Sequence, residues 1–281
     1  MNFSISSKNF PNEIENSHLS IEIRLDGFSF CIVDLNKNKL IALESRDLKD
    51  IKTFSHLSEI IFEKIKTNAL LKNHFKSASA AFVNNKSTLI PSQLFDSQNI
   101  KNYIGFSDFM DFNSEIAKYD KLRNIDAFNV FAIPENIEKI FTERFNNIRI
   151  LHFSSCLIDN VISQNQSLNS VFVNIYNSHF EVVIAENKNL KFYNTFKYHT
   201  KEDVLYYLLF VLEQLKLKPE SAKIVLSGLI NNKTSIFILL SKYIANIDFA
   251  KLNDNFDCSE LREKINPNYY FNIINQHLCV L

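Results

Sequence analysis

Glycine is almost missing from this chain, with 3 residues in 281, where ordinary usage of roughly 7% would give about twenty. Backbone can lie closely against phosphate only where no Cβ intervenes, so the scarcity limits phosphate-gripping loops. Tryptophan is absent, and 31 basic side chains balance 31 acidic ones. No net field draws the chain onto nucleic acid or an acidic membrane surface. Cys31, Cys156, Cys258 and Cys279 are scattered, with no CxxC pair and no histidine at zinc-ligand spacing. They read as reduced, mostly buried thiols. No apolar run reaches the roughly 18 residues that a membrane helix needs, since Lys216 ends the longest candidate, Val204 to Leu215. The opening MNFSISSKNFPNEIENSH lacks the basic start and apolar centre of a secretory signal and reads as a loose polar arm over residues 1–18. These absences describe a cytoplasmic protein without membrane insertion and without a nucleic-acid partner.

What is present is a foldable chain, 46% hydrophobic and 22% charged, long enough for one large α/β domain or two lobes. Ile21 to Ser45 carries three alternating runs and reads as a three-strand meander, turning around Asp26-Gly27 and again around Asn36-Lys37-Asn38. Leu57, Ile60, Ile61, Ile65 and Ala69 then recur at helical spacing, and Ser79 to Val83 reads as a buried strand closed by Asn84-Asn85-Lys86. The result is a βββαβ unit.

Val171 to Thr195 overlays Ile21 to Ser45 without a gap, 150 positions on: Phe30 meets Phe180, Val33 meets Val183 and Leu40 meets Leu190. Thr200 and Asp203 form a capping-box pattern ahead of a helix with Val204, Leu208, Val211, Leu212 and Leu215 on its apolar face. Ile224 to Ser227 is the next strand, halted at Gly228, and a helix follows through Ile236 to Ile244. The second half is again βββαβ. Between the halves, Ala127 to Ile133 is a strand, Pro134 suits a first helical position, Ile148 to His152 is a strand and Ser155 to Gln164 a helix. Leu94 to Leu122 reads as irregular and aromatic. The expected division is an arm (1–18), a first half (19–166) and a second half (167–281).

Two βββαβ-type halves joined by a helix resemble the actin-like ATPase fold, ribonuclease H-like in each half, of sugar kinases and Hsp70 chaperones. The stretch from FNVFAIPENIEKIF through VFVNIYNSHFEVVIAENKNLKF is similar to the middle of actin-like pilus-assembly scaffolds such as PilM. The chain from about Leu19 also resembles an uncharacterised bacterial family assigned to this fold. The resemblance implies two duplicated halves around a central cleft. Active members hold nucleotide there with two hairpins of the D-x-G type and a Gly-Gly turn.

Carried over residue by residue, the first hairpin offers Asp26, Gly27 and Ser29, with Phe28 where a small residue usually stands. At the second, Asn174 takes the aspartate position, Tyr176 the glycine position, and Asn177-Ser178 finish the turn. At the adenosine turn, Ser227-Gly228 keeps one glycine and Leu229 replaces its neighbour. Magnesium prefers carboxylate and phosphate oxygens, and a neutral amide at 174 does not supply the charge. The implied function is a non-catalytic interaction or scaffold protein, a pseudo-ATPase with no cofactor and a protein partner or a second copy. The alternative is an ATP-binding switch or hydrolase, with Mg-ATP, using a noncanonical cleft.

Other constellations read as structural. His179 with Glu181, and His199 with Glu202 and Asp203, share a face by spacing alone. Ser154, Ser155 and Cys156 near His152 lack elbow glycines and read as helix-capping serines with a core cysteine. Asp108 and Asp111 read as a helix entrance. Tyr269 to Leu281 is the aromatic segment best suited to an interaction surface, unless it packs back on the first half.

Overall fold

The structure is a computed structural model describing residues 3–7, 14–48, 51, 53–105, 110–111, 113–164, 170–259 and 264–280. It divides into two compact units. The first comprises residues 1–157, 254–265 and 272–281, and the second 158–253 and 266–271.

The first unit is built on the strands β1 (Phe3–Ser6), β2 (Ser17–Arg24), β3 (Gly27–Asp34), β4 (Lys39–Asp47), β5 (Ser77–Phe82) and β9 (Arg149–His152), in the order β1-β4-β3-β2-β5-β9. The meander is antiparallel, and β5 and β9 add parallel to it. Alternation sends Leu19, Ile21, Ile23, Phe28, Phe30 and Ile32 to one face, where they pack with α1 (Phe54–Thr67) and α3 (Glu135–Arg144) through Leu57, Ile61, Ile65, Ile137 and Phe141. Thr53 caps α1, its side chain accepting from the His56 amide.

The opposite face of β2 and β5 is polar and is covered by residues of the C-terminal segment. Gln276 donates to the Ile21 carbonyl and to Ser79, and Cys31 donates to the Ile273 carbonyl. Phe271 to Gln276 and His277 are buried, so the segment expected as an interaction surface is internal packing. Burial also pushes the Cys31 thiol up to about 12. All four cysteines are buried and none is in a disulfide.

A second sheet in this unit, β6-β8-β7, joins β6 (Ser87–Pro91), β8 (Ala127–Pro134) and β7 (Glu115–Lys121), all antiparallel. The short α2 (Ile100–Gly105) packs on it through Ile104 against Val130 and Ala132. Residues 94–122, expected as irregular, therefore supply a helix and a strand. Asp111 stands at the entrance of β7 rather than of a helix, its carboxylate accepting from the Asn113 amide and the Ser114 hydroxyl. Those bonds hold its carboxyl below the usual range. Asp108 lies outside the described residues. The supposed loose arm is also corrected: Phe3 to Ser6 pairs with β4, and Ser17 and His18 already belong to β2. Phe3 and Ile5 alternate with serines beside an otherwise open strand edge.

The second unit contains β10 (Ser170–Ile175), β11 (His179–Glu186), β12 (Asn189–Lys197), β13 (Lys223–Gly228) and β14 (Asn246–Phe249) in the order β12-β11-β10-β13-β14. α5 (Lys201–Gln214) carries the expected capping box from Thr200 and Asp203, and α6 (Ser235–Leu240) ends four residues before Ile244. α4 (Phe153–Gln164) connects the two halves of the sequence, and α7 (Phe271–Asn275) lies near the C-terminus. Pro134 flanks α3 as its cap instead of occupying its first turn.

Strand order and sense agree between the two large sheets from the meander onward. A bulge also falls at the matching place, after Ile32 in β3 and after Ile184 in β11. The ladders correct the ungapped overlay. Glu22 lies opposite Ser29, and Asn174 opposite Glu181, so Ile21, Ile23 and Phe28 correspond to Val173, Ile175 and Phe180. The overlay is two residues out through the first two strands and correct in the third, because the turn Leu35–Asn38 is replaced by the shorter Asn187-Lys188. An even slip leaves inward and outward positions unchanged, which hid it from the pattern.

Candidate functional site

The first hairpin turns through Leu25 and Asp26, since Arg24 pairs directly with Gly27. Gly27 does not use a positive φ; a Cβ there would lie 2.2 Å from Nη2 of Arg24. Its glycine thus makes room for a guanidinium. Arg24 donates from Nη1 to Glu22 Oε1 at 2.7 Å and from Nε to Asp26 Oδ1 at 3.1 Å. The Glu22 and Arg24 side chains are 8% exposed, whereas Asp26 is 43% exposed. Ser29 is buried and bonded to Ser45 across the ladder at 2.9 Å.

Asp26 and Ser29 are thus close in sequence but bond different side chains, Arg24 and Ser45. Sequence reasoning passed over Glu22 and Arg24. By ladder position they match Asn174 and Tyr176, so Glu22-Ile23-Arg24 corresponds to Asn174-Ile175-Tyr176. The signal was readable had the overlay allowed a gap at the second turn.

The second hairpin gathers a denser network. Asn174 is buried, donates from Nδ2 to Glu181 Oε2 at 3.0 Å and accepts from the Ser227 hydroxyl at 2.7 Å. Glu181 is also buried, with its other oxygen 3.2 Å from His179 Nε2. Tyr176 is buried beside the His179 ring at 5.0 Å, and its carbonyl accepts from the Tyr198 hydroxyl. Burial raises the Tyr198 pKa, which keeps that donor protonated. Asn177 and Ser178 form the exposed tip of the turn.

Gly228 adopts φ +83°, and a Cβ would meet the Ile175 carbonyl oxygen at 2.2 Å. Its amide neighbour Leu229 donates to that same carbonyl at 2.7 Å. The glycine therefore holds β13 tightly against β10. Among the predicted residues, the structure brings Asn174, Ser227 and Gly228 together and leaves Asn177 and Ser178 pointing to solvent.

A third polar cluster lies within the first unit. His152 Nδ1 is 2.6 Å from Ser154 Oγ and accepts from the Ser154 amide, while Nε2 faces Asn84 Oδ1 at 3.2 Å. A nitrogen that accepts from an amide has no proton of its own, so this ring carries its hydrogen on Nε2. Ser155 donates to Asp120, and Asn129 donates to both serines. Ser154 is fully buried and His152 nearly so. No substrate has access to this serine, and the cluster fixes the start of α4. Among the described residues no group of His, Cys, Asp and Glu is arranged to hold a metal ion, and no helix is long and apolar enough to cross a membrane.

The fold is shared with solved structures. A Bacteroides thetaiotaomicron protein with actin-like ATPase fold and unknown function superposes with TM-score 0.77 at 20% identity, covering 98% of this chain and 99% of that one. The PilM-PilN type IV pilus biogenesis complex matches at TM-score 0.55 and 12% identity, over 95% of this chain and 98% of that one. The ethanolamine utilization protein EutJ from Carboxydothermus hydrogenoformans gives 0.53 at 9%, over 96% and 94%. No curated protein matches the chain. Both large sheets and their connections are those of the actin-like ATPase fold. With residues 6–247 matched by its model, the chain belongs to the family described as "Protein of unknown function (DUF3822)".

Proposed function

We propose that this protein is a non-catalytic interaction or scaffold protein, an actin-like fold whose nucleotide-binding hairpins have been turned into internal structure. The observation that carries the reading is Arg24, whose guanidinium takes both Glu22 and Asp26. A carboxylate bonded to arginine has given up its charge to the protein and offers little to a magnesium ion. The second hairpin supports the same reading, because Asn174 is committed to Glu181 and Ser227 and the Tyr176 ring is buried beside it. The common strand order and bulge position support an internal duplication as the origin of the two units. Four cysteines outside any disulfide fit a reducing compartment, and we assign the cytoplasm. The PilM neighbour, which is seen with PilN, supports a protein as a ligand of this fold.

The test is thermal unfolding with and without millimolar Mg-ATP. A ligand at about 100 times its dissociation constant adds roughly 2.7 kcal/mol, a shift of a few degrees for a chain of this size. No shift is expected. A clear shift that Asp26→Ala or Gly228→Leu abolishes replaces the scaffold with the ATP-binding switch, the reading that Gly228 and its positive φ would serve.

A further inference from the structure

Within the first unit, α1 and α3 pack side by side on the sheet and leave a groove of about 390 Å³ between their last turns. Its floor is apolar: Phe62, Ile65 and Ile140. Phe62 is 50% exposed and gives its ring to that floor. The rim is cationic. Lys66, Lys72 and Arg144 surround the floor, against Glu143 as the acidic lining residue. Among the described residues none of the three cations is in an ion pair: Arg144 donates to the Leu71 carbonyl, and the Lys66 ammonium stands 6.0 Å from the Phe62 ring centre. Lys66 and Arg144 sit in the last turns of their helices, where a cation offsets the dipole. That accounts for a positive charge at each terminus, but not for an exposed ring and an open apolar floor between them.

We propose that this groove docks an acidic segment of a partner protein, with one large apolar side chain entering between Phe62 and Ile140 and flanking carboxylates meeting Lys66, Lys72 and Arg144. The proposal deepens the scaffold reading and rests on it. The cavity has the volume of a small ligand site, and the charge around it selects the sign of what enters. An apolar anchor supplies the affinity and the rim supplies the orientation. Binding therefore weakens as salt rises.

The experiment is selection of a random-peptide phage library on the full chain, followed by fluorescence anisotropy with an enriched peptide. Enriched sequences are expected to place acidic residues around an aromatic or aliphatic one. Lys66→Glu with Lys72→Glu is expected to weaken binding by at least about tenfold, with recovery when the peptide's acids are changed to lysine. Phe62→Asp is expected to abolish binding. Both variants are checked by melting; if Phe62→Asp fails to fold, the exposed lysines carry the test. Failure to enrich, enrichment without acidic bias, or binding indifferent to the lysine reversals overturns the proposal. So does a dimer of the wild-type chain, or its binding to phosphatidylglycerol vesicles, that the reversals disrupt, because the occupant is then a second copy or a membrane. The Mg-ATP melt reports on the scaffold reading alone, so the two failures are distinguishable.

Discussion

Glu22 and Arg24 form a buried ion pair beside the first hairpin turn. Two charges out of water are tolerated because each bonds the other at 2.7 Å, and Asp26 takes a further guanidinium nitrogen. Removing Arg24 takes from the buried Glu22 carboxylate its 2.7 Å cation. Arg24→Leu is expected to cost about 3–5 kcal/mol, whereas Arg24→Leu combined with Glu22→Leu recovers most of that loss. Urea melts of the two variants decide it, and equal destabilisation by both would show that the pair is not the source. A gapped overlay would have marked these two positions, but not the bond between them. Asp26-Gly27 reads as a turn signal, and in the structure the Arg24 guanidinium lies close against the bare Cα of Gly27. Asn174, Ser227 and Gly228 stand out through the resemblance to the actin-like fold and the strand halted at Gly228, neither of which reveals the bonds they make.

At the scale of elements, the meanders, α1, α5 and the strands they flank follow from alternation, helical spacing and caps, all of which are local. The capping box of α5 is a clear case: Asp203 accepts from the His199 and Thr200 amides, and Thr200 accepts from the Asp203 amide. These bonds hold the Asp203 carboxyl below its ordinary range. Thr200→Ala is expected to cost about 1 kcal/mol, seen as a lower melting temperature. An unchanged melt would show that the second unit does not depend on that turn. β1 and β14 were missed for the opposite reason. Each is short, and its existence depends on a neighbouring edge supplied from elsewhere in the chain. The two-residue slip in the overlay has the same cause, since pairing partners decide register and the alternating pattern does not.

At the scale of the molecule, the buried histidines set a pH limit. His18 lies between Ser77 and Ser79, with His277 6.4 Å away. Burial first, and the neighbouring His277 second, push its pKa down to about 3. His277 is also lowered, mainly by burial, while its ring bonds the Ile274 carbonyl and packs beside Phe256. Both folded-state values lie below the unfolded value of 6.5. The unfolded chain therefore takes up protons that the folded one refuses, so stability is complete above pH 6.5 and is lost as pH falls below it. The slope is about 1.4 kcal/mol per pH unit for each fully neutral ring. Melts between pH 7.5 and pH 5 should show the fall, and His18→Gln should flatten it; a slope unchanged by that substitution would assign the effect elsewhere.

Gln276 reaches back to Ile21 and Ser79 across most of the chain. The strands that carry Ile21 and Ser79 must consequently wait, one face still wet, until Gln276 has been made. Synthesis order and assembly order are opposed in this half of the protein, and a chaperone that shields nascent chains has a defined surface to hold during that interval.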